Sequence, residues 1–152
     1  MDSKKVTKLI RSEKGFSIIE LMVVVIIIGI LATTILPRIM GRTDDAKITK
    51  VKADIKSLET ALDMYKIDNG LYPDTEQGLN ALIKLPDTGV LPKKWRKGGY
   101  LKKPVIPNDP WDNAYLYISP GSRGDYDIMS YGADSMQGGE GINKDLSNFD
   151  VE

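Results

Sequence analysis

For chemistry this chain offers carboxylates, hydroxyls and amides but no imidazole and no thiol, because its 152 residues include neither histidine nor cysteine. That removes the commonest general base near neutral pH. It also removes zinc sites built from Cys and His, and any Ser-His-Asp or Cys-His nucleophile. No disulfide staples the fold. Two groups of acids then stand out. Asp125 and Asp127 are the nearest thing to an acid–base pair. Alternation along a strand puts both on one face at a sheet edge, where they read as solvated decoration. The C-terminal segment 132–152 gathers Asp134, Glu140, Asp145 and Asp150 among Gly, Asn and Ser, without periodicity. On its own it reads equally as a flexible acidic tail. Its spacing fails the EF-hand pattern. Gly138-Gly139-Glu140-Gly141 is no phosphate loop, because no Gly-Lys-Ser/Thr follows and the acidic surroundings repel phosphate. No nucleic-acid partner is expected.

A third carboxylate, Glu20, is out of place. It sits just before 16 uncharged, mostly Val, Ile and Leu residues, Leu21 to Leu36. A carboxylate in such a setting costs about 2.5–3.5 kcal/mol at the centre of a membrane helix, and less near an end. Five basic and two acidic residues precede it in 1–15, a net of +3, while 16–152 carry a net of −3. A basic segment directly before an apolar run retains that terminus in the cytoplasm and sends the rest across. Three readings fit the pattern. An ordinary secretory signal would need a small-x-small site after the apolar run, and Thr34-Ile35-Leu36-Pro37-Arg38 is a poor one. A plain signal anchor accounts for the 21 residues from Phe16 to Leu36, about the ~20 needed to span a bilayer, but has no use for Glu20. In the third reading a protease cuts between Gly15 and Phe16, ahead of the apolar run. Phe16 then carries a charged α-amine, and Glu20 is the fifth residue of the mature chain. In a stack of staggered helices, one chain's carboxylate meets its neighbour's amine, and leaving either unpaired is costly.

The elements around these residues follow from spacing. Beyond Pro37, which lacks a backbone donor and should loosen the helix, and a polar patch at 41–45, apolar residues return at Ile48, Val51, Ile55, Leu58, Leu62 and Tyr65. Their intervals of three and four make one helical face, expected to pack on a sheet. Asn69-Gly70 ends it. Asp74 or Thr75 should cap a short helix to Lys84 that buries Leu79, Leu82 and Ile83. Five prolines make 86–113 a loop, pinned by Trp95 and Trp111. Strands are expected at 114–118 and 126–131, joined through Pro120 to Gly124 as an antiparallel hairpin.

The string Lys14-Gly15-Phe16-Ser17-Ile18-Ile19-Glu20-Leu21 resembles the leader site of type IV pilins and pseudopilins. The resemblance implies a prepilin peptidase that cuts after Gly15 and methylates the amine of Phe16. Further matches follow in order: Tyr72-Pro73 with Thr75-Glu76-Gln77-Gly78-Leu79, Asp109-Pro110-Trp111, Tyr115-Leu116-Tyr117, Tyr126-Asp127, Gly132-Ala133-Asp134 and Gly138-Gly139-Glu140. With these the whole chain resembles the G-type major pseudopilins of type II secretion. The implied fold is α+β and pilin-like, a long N-terminal helix packed on a small antiparallel sheet with an irregular C-terminal loop. The divisions expected are a cleaved leader 1–15, a membrane and filament-core segment 16–36, an amphipathic half 37–68 and a periplasmic head 69–152.

The resemblance also implies one structural calcium ion in place of a disulfide. Asp134 stands at the family's first carboxylate ligand and Tyr131 where a backbone carbonyl is supplied. The family often has adjacent acids after the paired glycines, but here Gly141 and Ile142 intervene, which leaves Asn143 and Asp145 to complete the set. The implied role is structural, not enzymatic: the main subunit of a short periplasmic filament that drives folded proteins through an outer-membrane pore. The implied partners are other copies of the chain, minor pseudopilins, the peptidase, an inner-membrane assembly platform and inner-membrane lipid. The rivals are the major subunit of a surface pilus, a membrane-anchored enzyme and a calcium-dependent binding module.

Overall fold

The computed structural model describes residues 15–150, with side chains throughout except at 33–42. The leader expected over 1–15 therefore lies outside the described residues apart from Gly15. The loosening expected at Pro37 falls where side chains are not described. The chain divides into two compact units, one up to Gly41 and one from Arg42 onward.

Helix α1 runs Ile18–Asn69. Its start has a local cause. The Glu20 amide donates to both the Ser17 hydroxyl at 3.3 Å and the Ser17 carbonyl at 3.1 Å, so Ser17 serves one of the first-turn donors that have no partner four residues back. The pattern Ser-x-x-Glu over 17–20 is that of a capping box, a local signal the expectations above did not use. From Phe16 to Leu31 the large apolar side chains are 48–81% exposed. They are consecutive rather than spaced, so they cover every side of the helix. Among the described residues no helix is long and apolar enough to cross a membrane. The span expected at 16–36 continues into the stretch without described side chains.

In the second unit α1 carries the expected stripe. Val51, Ile55, Leu58, Leu62 and Tyr65 are fully buried, and Ile48 packs against them at the margin. They share one core with Leu79, Leu82, Tyr100, Tyr115, Tyr117, Tyr126, Ile128 and Leu146. The sheet is antiparallel, with order β1-β2-β3: β1 is Leu116–Ile118, β2 is Asp127–Ser130 and β3 is Leu146–Ser147. Tyr117 pairs with Ile128, and Ser130 with Leu146. The hairpin is thus as expected, slightly shorter, with Ala114 bridged to Asn108 ahead of it. Strand β3 was not expected, because two residues carry no alternation to read.

The short helix expected from Asp74 to Lys84 is not an α-helix. Asp74 does cap: its Oδ1 accepts from the Gln77 amide at 2.8 Å, and Gln77 Oε1 accepts from the Asp74 amide at 3.3 Å. Gly78 then adopts φ 58°, which stops helix propagation after one turn, and only a 3₁₀ turn, Leu79–Leu82, follows. Leu79, Ala81 and Leu82 are buried, while Ile83 is half-buried. Gln77 is itself buried, and its amide holds the loop at Thr88 and Val90 through their carbonyls. In the long loop, the Trp95 indole donates to the Ala81 carbonyl at 2.9 Å, and Trp111 packs half-buried against the core.

Candidate functional site

Two places hold the residues singled out by sequence. At the N-terminus, Gly15 and Phe16 precede α1 outside regular structure and are exposed. No Cβ contact constrains Gly15, whose surroundings are open to 4 Å. Glu20 is exposed in the first helical turn, and its carboxylate accepts no hydrogen bond among the described residues. The helix start rests on Ser17 and not on Glu20.

The second place is the loop from Tyr131 to Asp145. It is folded, not a tail. It contains 3₁₀ turns at Gly132–Asp134 and Gly141–Asn143. Gly132 has φ 66°, and a Cβ there would lie 2.7 Å from the Ile142 carbonyl oxygen and 2.9 Å from the Asn143 Cα. Gly139, at φ 92°, would bring a Cβ within 2.6 Å of the Asn143 carbonyl oxygen. Only glycine permits both this backbone and this approach. The start of the loop is thereby pressed against 142–143. Asp145 reaches back with Oδ2 to accept from the Gly138 amide at 2.9 Å, while its buried Oδ1 has no partner. Asp134 is exposed and accepts from the Met136 amide at 3.1 Å. So the loop brings Asn143 against Gly132 and Gly139, and Asp145 against Gly138, with Tyr131 at its mouth. Among the described residues no three acids gather into a metal-type cluster.

Downstream, the Ser147 amide and hydroxyl both donate to Asp150 Oδ2, at 3.0 and 2.7 Å. Chiefly through the hydroxyl bond, these hold the Asp150 carboxyl below its ordinary range.

The pair Asp125 and Asp127 corrects the expectation of two solvated acids on one face. Asp125 is exposed and pairs with Lys66 at 2.7 Å. Asp127 is 4% exposed and accepts from the Ser122 amide at 2.8 Å, closing the hairpin turn. Burial alone would raise its carboxyl, but the bonds from Ser122 and the nearby Arg123 outweigh that and hold it low. The two acids diverge because Asp125 lies outside β2, so strand alternation does not apply to it. Tyr115 donates to Asp54 at 2.9 Å, tying the sheet side of the core to α1. Burial, then this bond, pushes its phenol well above the ordinary value.

A long helix whose apolar start is uncovered, a sheet of three short antiparallel strands and a loop closed without a disulfide define a pilin-like subunit. In line with this, the structure is similar to the major pseudopilin from the type 2 secretion system of enterohaemorrhagic Escherichia coli, with TM-score 0.65 and 40% identity, covering 74% of this chain and 91% of that one. Residues 38–149 match the family described as type II secretion system (T2SS), protein G. Residues 10–36 match the prokaryotic N-terminal methylation motif. The chain is 51% identical over 140 residues to the type II secretion system core protein G of Pseudomonas aeruginosa, covering 92% of this chain and 97% of that protein. It is 46% identical over 145 residues to the namesake from Vibrio cholerae, covering 95% and 97%. This chain belongs to the type II secretion system protein G family, a family of structural pseudopilin subunits and not of enzymes.

Proposed function

We infer that this chain is the major structural subunit of the type II secretion pseudopilus, a periplasmic filament that helps push folded proteins across the outer membrane. The observation that carries the mechanism is the apolar surface from Phe16 to Leu31, uncovered on every side. Such a surface is not stable in water and needs lipid or other subunits around it. In the precursor state, 16–36 lies in the inner membrane with the N-terminus cytoplasmic and the head periplasmic. Cleavage between Gly15 and Phe16 by a prepilin peptidase, with methylation of the Phe16 amine, frees the terminus for assembly. The same apolar helices then pack together in the filament core, and Glu20 of one subunit meets the Phe16 amine of another. Minor pseudopilins and an inner-membrane assembly platform are the remaining partners.

Replacing Gly15 by leucine tests this chemistry directly. The expected product is an uncleaved precursor that stays in the membrane, builds no filament and leaves secreted cargo in the periplasm. A product of normal mature size, or normal filaments, would refute the cut site and its role.

We further propose that the loop from Tyr131 to Asp145 holds one calcium ion. The residues suit it: a hard cation takes six to eight oxygens from carboxylates, amides and carbonyls on a pliable loop. Asp134, Asn143, Asp145 and the Tyr131 carbonyl supply that chemistry, and the buried, unpartnered Asp145 Oδ1 is an oxygen that lacks a counter-charge. The ion would neutralise these acids and fix a loop that no disulfide closes. Chelation should lower the melting temperature of the full chain in detergent. At a free calcium of a hundred times Kd, the stabilisation lost is about 2.7 kcal/mol. Equal melting with calcium and with chelator would remove the site.

A further inference from the structure

Asp109, from the Asp109-Pro110-Trp111 turn, is 3% exposed. A buried carboxylate is expensive unless its oxygens are satisfied, and no ion pair meets this one among the described residues. Three hydrogen bonds do. Oδ1 accepts from the Trp111 amide at 3.0 Å and from the Asn113 amide at 2.9 Å. Oδ2 accepts from the Ser130 hydroxyl at 2.7 Å. Both of the last two partners lead to one residue. Ser130 Oγ, which donates its hydrogen bond to Asp109, accepts one from the Gly132 amide at 3.3 Å. The Asn113 side-chain amide donates to the Gly132 carbonyl at 3.2 Å.

The peptide groups on both sides of Gly132 are therefore fixed through a single carboxylate. A peptide unit is planar and trans, so holding the Gly132 N–H also sets the direction of the Tyr131 carbonyl, which shares that plane. The proton count sharpens the argument. Ser130 has one hydroxyl hydrogen, and directing it at Asp109 Oδ2 leaves a lone pair turned toward the Gly132 amide. Gly132 is also a tight point of the loop, with φ 66° and the Ile142 carbonyl against it.

We propose that Asp109 is a positioning residue for the C-terminal loop: acting through Ser130 and Asn113, it aims the Tyr131 and Gly132 peptide groups and thereby sets the loop's affinity for a divalent cation. The cation part rests on the calcium reading above, whereas the aiming of the loop does not. Asp109→Asn is the informative change. It keeps the size and an oxygen for the Trp111 and Asn113 amides, but it presents an N–H to Ser130. The serine must then accept there, so its hydroxyl hydrogen turns away from residue 109 and the orientation that aims a lone pair at the Gly132 amide is no longer fixed.

The test uses the full chain in detergent micelles, as wild type, Asp109→Asn, Ser130→Ala and the double variant. Amide hydrogen exchange is followed with calcium and with chelator, and calcium binding by calorimetry. Asp109→Asn and Ser130→Ala should each speed exchange over 131–145 several-fold without changing it over 51–65. Calcium affinity should fall about 10- to 100-fold, the range for residues that orient a metal's ligands. The double variant should be no worse than Asp109→Asn alone, because both act along one chain of bonds. Unchanged exchange over 131–145, or equal acceleration over 51–65, would overturn the proposal. If wild type binds no calcium, the calcium reading fails, and exchange in the chelated protein still decides whether Asp109 aims the loop.

Discussion

Glu20→Ala should yield a chain that is cleaved, inserted and folded, yet builds few or no filaments. The separation of the two effects comes from the local structure. The first turn of α1 is capped by Ser17 through the backbone amide of residue 20, and alanine retains that amide and raises helix propensity. Nothing in the subunit is lost, since the carboxylate accepts no hydrogen bond among the described residues. With the proposed pairing, the α-amine of a neighbour's Phe16 would be left in an apolar setting without its counter-charge, a loss of about 3–5 kcal/mol for a broken buried pair. Repeated at each subunit, that is enough to halt growth. Glu20→Gln keeps the shape and removes the charge, so it should fail in the same way. Quantifying sheared filaments by immunoblot alongside the mature band on a gel checks both halves. Wild-type filament yield from either variant would remove the charge pair from the mechanism.

Leu58→Ala acts at the other end of the same helix and for a different reason. Leu58 is fully buried in the middle of the stripe that α1 contributes to the core. Truncating it forfeits apolar burial and leaves a cavity, which costs about 2–5 kcal/mol. For a small head without disulfides, that is a large share of the whole stability. Denaturant titration of the purified chain should show the midpoint fall at an unchanged slope. A loss below about 1 kcal/mol would mean the site collapses around the smaller side chain. The two substitutions thus dissociate: one spares the subunit and stops the polymer, the other weakens the subunit itself.

What could be read in advance divides along physical lines. The stripe from Ile48 to Tyr65 was legible because helical burial repeats every three to four residues over many turns, a signal too long to arise from local accident. The hairpin was legible from two strand-like runs on either side of the turn residues Pro120 to Gly124. Signals confined to one or two residues were not. Gly78 converts an expected helix into a single 3₁₀ turn, and β3 has only Leu146 and Ser147. Ser17-x-x-Glu20 has the form of a capping pattern, but four residues at the head of a long apolar run carry little weight beside it. At the loop, Asp134 and Tyr131 came from resemblance, since acids among glycines have no periodicity. The bond from Asp109 to Ser130 joins residues 21 apart in sequence, across two turns, and no pattern in the chain announces such a pairing. Asp127 was misread because its burial is set by the turn at Ser122, not by strand alternation.

Strand β3 lies at the end of the sheet order and, among the described residues, pairs only with β2. It covers the backbone groups of Met129 and Ser130, and it is reached only through the 131–145 loop. A subunit whose loop fails to close therefore uncovers a sheet edge, the kind of template on which strangers pair and aggregate. It also offers a glycine-rich segment to proteases, which favour exposed loops. Closure of 131–145 thus doubles as the mark of a correctly folded head, since a head that fails to close exposes both an edge and a cleavable loop before it meets a neighbour.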